Sequence, residues 1–236
     1  FQRLAPSFTV SLQPWQEQLL FLRLMYKSTF RMPTFNDLYY YRLGNRSLRP
    51  EKANEYNMGI TWSRSFSSFL NYLSVTVDGY YNDVTDKIVA FPTTYAWKMA
   101  NYGKVHVTGM DATLAAAASL GKNTVLVVSG GYTWQKAIDL TDATSKSYKD
   151  QLPYTPKHSG NVSAVLEMPW VNVGYSIVGV SERYSMSQNI PENRIDGYME
   201  HTVSLSRNFS FRHCKLRLQA EIINLTDTQY DVIKYY

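Results

Sequence analysis

Cys214-Lys215-Leu216-Arg217-Leu218-Gln219-Ala220-Glu221-Ile222 places Leu216, Leu218, Ala220 and Ile222 at every second position, with Lys215, Arg217, Gln219 and Glu221 between them. Successive side chains of a strand point to opposite faces, so this segment has one apolar face and one charged face. Leu73-Ser74-Val75-Thr76-Val77-Asp78 repeats the pattern. So does Leu20 to Lys27, with the even-numbered residues on the apolar face and Arg23 and Lys27 on the other. A slip of one residue would turn every charge to the apolar face, so the alternation specifies the register.

Ten segments read as strands in this way, at about 7–13, 18–27, 52–63, 70–82, 103–119, 124–135, 157–168, 171–183, 197–209 and 213–223, and an eleventh is expected to begin near Asp231. Helical periodicity is nowhere sustained. The connections alternate in length. Pro14–Glu17, Ser63–Phe69, Gly121–Asn123, Met168–Trp170 and Asn208–Arg212 are short. Ser28–Glu51, Asp83–Tyr102, Lys136–Pro156, Tyr184–Asp196 and Asn224–Tyr230 are long. That order belongs to an up-and-down barrel with one tightly turned rim and one long-looped rim, and a Greek-key sandwich has no reason to keep it. The expected fold is all-β: an antiparallel up-and-down transmembrane β-barrel. Leu73, Val75, Val77, Leu216 and Leu218 would face lipid; Asp78, Lys215, Arg217 and Glu221 would face the lumen.

Composition agrees. Of 236 residues 44% are apolar, and no run of 18 or more apolar residues exists to form a membrane helix. A barrel escapes that test because half of each strand is polar, which also fits the mean hydropathy of −0.31. The 19 Tyr, 10 Phe and 5 Trp suit interfacial girdles, and equally a Tyr-rich soluble β-domain. Tyr26, Tyr80, Tyr81, Tyr132, Trp134, Tyr175 and Tyr198 lie near strand ends, where a girdle would be. The +5 net charge is scattered, with no basic-aromatic block of the kind that binds nucleic acid. One cysteine, Cys214, excludes an internal disulfide. His106, His158, His201 and His213 are dispersed without metal-ligand spacing, and no catalytic arrangement stands out, so neither an enzyme nor a cofactor is expected.

The first long connection carries Phe30-Arg31-Met32-Pro33-Thr34-Phe35-Asn36-Asp37-Leu38-Tyr39-Tyr40, then Gly44-Asn45, Leu48-Arg49-Pro50-Glu51 and Glu55-Tyr56 with Gly59. Further on come Tyr80-Tyr81-Asn82 with Asp86-Lys87-Ile88, Asn101-Tyr102-Gly103 with Gly109-Met110-Asp111, and Leu152 to His158. The end reads Glu221-Ile222-Ile223-Asn224-Leu225-Thr226-Asp227. These stretches resemble, in order and over nearly the whole chain, the TonB-dependent outer-membrane receptor family, in the style of its Bacteroidota cobalamin, haem and siderophore receptors. Thr226 stands where the family more often has an aromatic. The resemblance implies that residues 1–236 are the C-terminal part of a barrel of about 22 strands. The plug domain and the last strand would not be in this chain. It further implies the outer membrane of a Gram-negative bacterium, import energised by the TonB complex through the plug, and contact with outer-membrane lipid. A surface lipoprotein partner and a cargo of cobalamin, haem or ferric siderophore are implied too. A passive porin-like channel and a soluble glycan-binding β-domain remain the alternatives. On this scaffold most of the quoted residues read as barrel builders, with Arg49 and Glu51 as a rim salt network.

Cargo contact is expected from the long loops. Tyr39, Tyr40, Tyr41 and Arg42 form one aromatic-cationic cluster, Tyr95, Trp97 and Lys98 a second, and Arg183 with Tyr184 a third. Flat rings stack on large planar ligands, and arginine or lysine pairs with their anionic groups. Loop self-packing is the competing reading for each.

Overall fold

The computed structural model describes residues 4–92 and 97–234. Ten antiparallel strands form one sheet: β1 (Ser7–Leu12), β2 (Leu19–Arg31), β3 (Glu51–Ser65), β4 (Leu70–Pro92), β5 (Trp97–Gly121), β6 (Thr124–Asp139), β7 (His158–Glu167), β8 (Asn172–Val180), β11 (Tyr198–Ser210) and β12 (Lys215–Ile222). A small ribbon, β9 (Arg183–Tyr184) with β10 (Arg194–Ile195), lies in the connection between β8 and β11. One short helix, α1 (Phe35–Tyr39), precedes β3. Every strand of the large sheet pairs with its neighbour in this order, and each short turn joins two adjacent strands.

The ladder fixes the two faces. Leu24 pairs Met58, Ile60 pairs Val77, and Val77 pairs Ala112, so one row of side chains runs Val10, Leu24, Met58 across the sheet with Ile60, Val77, Ala112 beside it. Leu205 and Ala220 continue this outward apolar face at the far edge, where Leu216, Leu218 and Ile222 also lie. The opposite row holds Arg23, Gly59, Asp78 and Asp111, and then Thr133. Gly59 sits between Arg23 and Asp78 in the ladder. With no side chain there, the guanidinium reaches across it to the carboxylate at 2.8 Å. A Cβ at Gly59 would collide with Asp78 Oδ1.

Four differences from the sequence reading have physical causes. The expected loop Asp83–Tyr102 is instead the two arms of a long hairpin, since β4 and β5 stay paired out to Pro92 and Trp97. Its inward side chains are buried under the neighbouring loops: Val84 and Val105, with Ala137 of β6, under Leu152, and Ile88 and Met99 under Leu48. Alternation is lost there because both faces of the hairpin are partly covered. Residues 231–234 form no strand. A helical turn stands where none was expected. Finally, Tyr80 and Tyr198 project from the inward face, so they are not part of the outward girdle. Tyr80 lies over Gly109, and Tyr198 stacks on Tyr230 at 3.8 Å.

The outward girdle is built from pairs. Tyr26 meets Tyr56 at 5.1 Å, Tyr81 meets His106 at 5.4 Å, Tyr132 meets His158 at 6.1 Å and Tyr175 meets His201 at 6.0 Å. Each pair joins two strands that a long connection links. The Tyr132 and Tyr175 hydroxyls lie 2.7 Å from His158 Nδ1 and His201 Nδ1.

Candidate ligand-facing loop surface

The long loops fold over the inward side of the β4–β5 hairpin and are stitched to it. Thr34 caps α1: its hydroxyl accepts from Asp37 N–H at 3.2 Å, and Asp37 Oδ2 accepts from Thr34 N–H at 2.9 Å. Arg31 adds a 2.8 Å ion pair to the same carboxylate. Burial works to raise the Asp37 pKa, but the Thr34 backbone and hydroxyl bonds and the Arg31 charge outweigh it and hold it below the usual aspartate value. Gly44 lets the chain turn back on α1; a Cβ there would stand 2.7 Å from the backbone nitrogens of Tyr39 and Tyr40. Met99 N–H then donates to Leu43 O at 2.9 Å, and Asn45 Nδ2 to Met99 O at 3.0 Å. Asp86 has φ 55, outside the strand region. Asn101 Nδ2 takes up its carbonyl at 2.7 Å, and Arg49 pairs with its carboxylate at 2.6 Å. Glu51 accepts from Ile88 N–H at 3.0 Å and lies 3.9 Å from Arg31. The expected rim salt network around Arg49 and Glu51 is therefore present, and it serves to fasten this loop.

On that scaffold the first cluster is displayed to solvent. Tyr39, Tyr40 and Tyr41 are 49%, 60% and 79% exposed. Phe35 packs on Tyr39 at 4.9 Å and the Arg46 guanidinium covers the same ring at 5.1 Å, while Arg42 lies over Tyr41 at 5.2 Å. Phe35 and Arg46 were not singled out from sequence. The signal was Thr34-x-x-Asp37, a capping box that puts Phe35 and Tyr39 one turn apart on the same side of a helix.

The second and third clusters rearrange. Trp97 begins β5 rather than sitting in a loop, and stacks on Tyr154 at 5.6 Å. Tyr154 N–H donates to Tyr184 O at 2.7 Å, so Trp97 and Tyr184 are joined through a residue of the 140–157 loop that the sequence reading did not choose. Lys98 is exposed and projects to the face opposite Trp97, as alternate strand residues do. Tyr95 lies outside the described residues. Arg183 is only 6% exposed: it donates to Asp231 O at 2.6 Å and lies over the Tyr198 ring at 5.8 Å. It is a fastener for the segment after β12 and is not displayed to a ligand. Its partner lies 48 residues on, beyond any local pattern. Among the described residues no group of three or more His, Cys, Asp or Glu side chains is placed to hold a metal ion.

Residues 1–225 match the family model described as TonB dependent receptor-like, beta-barrel. The chain belongs to this family. Its barrel fold explains the alternating rows, the short and long rims and the inward-folded loops together. The vitamin B12 transporter BtuB of Photobacterium profundum is 25% identical over 209 residues, covering 85% of this chain and 30% of that protein. The BtuB of Vibrio vulnificus is 32% identical over 84 residues, covering 35% of this chain and 13% of its own length. The crystal structure of the unliganded ferric citrate transporter FecA superposes with a TM-score of 0.72 at 16% identity, over 96% of this chain and 34% of that one. This chain thus spans less than a third of the length of the curated relatives it matches.

Proposed function

We propose that this chain is the C-terminal barrel portion of an outer-membrane receptor that imports a large, scarce nutrient, with cobalamin, haem and ferric siderophores as the cargo classes. The observation that carries the reading is the Phe35–Tyr39–Arg46 stack with Tyr41–Arg42, exposed on a loop that ion pairs and backbone bonds hold rigid over the inward face. Exposed rings held by a prearranged scaffold bind flat ligands without first being ordered, and the adjacent guanidiniums suit anionic groups. The similarity to relatives named as vitamin B12 transporters supports cobalamin among these classes.

In this reading a plug domain and the remaining strands complete the barrel, since an open sheet edge in lipid leaves backbone groups unsatisfied. The TonB complex acts through that plug. A surface lipoprotein is a further proposed partner, and the outer membrane of a Gram-negative bacterium the proposed site. The test is uptake of labelled cobalamin, haem and a ferric siderophore by cells expressing the receptor that carries this chain, with and without TonB. Uptake of one cargo that stops without TonB supports the reading. Uptake that continues without TonB identifies a passive channel instead.

A further inference from the structure

We propose that a groove on the outward face, floored by Gly160 and Gly179, seats one acyl chain of a lipid whose anionic phosphate headgroup lies against His158 and Lys136. In the ladder Tyr132, Gly160, Gly179 and Met199 form one continuous row across β6, β7, β8 and β11. Two adjacent glycines remove the side chains from its middle. Tyr132 and Met199 stand on either side, and Val162 and Ile177 continue the floor one step further from the loops. The result is a groove of about 450 Å³. A void against an apolar wall forfeits dispersion contacts, and a straight hydrocarbon chain restores them on three sides.

The headgroup end carries the charge. His158 begins β7 beside Trp134, and its Nδ1 lies 2.7 Å from the Tyr132 hydroxyl. A hydroxyl that donates to Nδ1 leaves the ring N–H on Nε2, where it can donate to a phosphate oxygen. Lys136 lies on the same outward side of β6 as Tyr132 and Trp134, one step nearer the loops than the Trp134–His158 pair. Its side chain is exposed. Among the described residues it has no ion-pair partner. The carboxylates beyond β8, Glu182 and Asp196, are both engaged by Arg194, at 3.0 and 3.1 Å.

The receptor carrying this chain, purified in detergent, would be offered an equal mixture of phosphatidylglycerol and phosphatidylcholine and examined by native mass spectrometry. The wild type should keep one phosphatidylglycerol in preference to phosphatidylcholine by about tenfold, an affinity difference one engaged charge can supply. Gly179→Leu should abolish retention; a Cβ at Gly179 meets nothing nearer than Met199 Cγ at 3.7 Å, so the groove fills without backbone strain. Gly79→Leu, on the outward face of β4, should leave retention unchanged. The Lys136→Gln variant, which does not touch the floor, should keep a lipid but lose the preference. Inorganic phosphate should not displace it. Full retention in Gly179→Leu, no headgroup preference in the wild type, or displacement by phosphate would each overturn the proposal.

Discussion

Single residues fasten the 32–50 loop. Gly44→Ala brings a methyl within 2.7–2.8 Å of the backbone of Leu38, Tyr39 and Tyr40. It should cost about 1–3 kcal/mol locally, as overpacking does. Limited proteolysis within residues 35–47 should accelerate while barrel assembly, read by heat-modifiable migration, stays unchanged. Asp37 gives a pH test. Its folded pKa is depressed, so its contribution is present above the unfolded value and is lost as pH falls through the folded one, below 3.8. Proteolysis of this loop should therefore rise on acidification below about pH 4. Asp37→Asn should make the loop labile already at neutral pH and remove that response.

Strands were readable where one face meets lipid and the other water, and unreadable where both faces are covered. Leu216 to Ile222 and Leu73 to Asp78 alternate, and the ladder places them as their pattern requires. Val84 to Trp97 do not alternate, because Ile88 and Met99 are buried under Leu48 on the side a bare barrel would leave open. The loop clusters were only half visible: an aromatic run such as Tyr39–Tyr41 marks display, but the partner that buries Arg183 is far away in sequence. Depth is also sharper in the structure. Arg207 stands opposite Leu218 on the outward face, three residues before the end of β11, with its guanidinium 4.7 Å from the Phe209 ring. Leu218 is thus near an interface, where a charge costs little. Val77, in the membrane-crossing part of β4, is the better probe. Val77→Arg should lower assembly by the 2–4 kcal/mol typical of a charge on the lipid face, whereas Thr76→Arg, one residue away but inward, should cost far less. Equal yields of the two variants in the membrane fraction would contradict the facing.

At the scale of the whole molecule, a ten-stranded sheet supplies a wall and three long loops supply a surface. The wall is general to the family, and in the proposed reading discrimination between cargoes would rest on the loops, since fold does not fix function. Tyr102 tied to Ser187 at 2.7 Å and Trp97 stacked on Tyr154 couple the hairpin to two different loops. Removing Tyr39, held between Phe35 and Arg46, should cost more affinity than removing Tyr41, since a ring already held in place needs no further ordering. The most direct measurement is a titration of cobalamin, haem and a ferric siderophore into the receptor that carries this chain, as wild type and as Tyr39→Ala/Trp97→Ala. One cargo should bind the wild type, and the double variant should bind it more weakly by on the order of 100-fold, the loss of two aromatic anchors, with assembly unchanged. Unchanged affinity in the double variant would contradict the account.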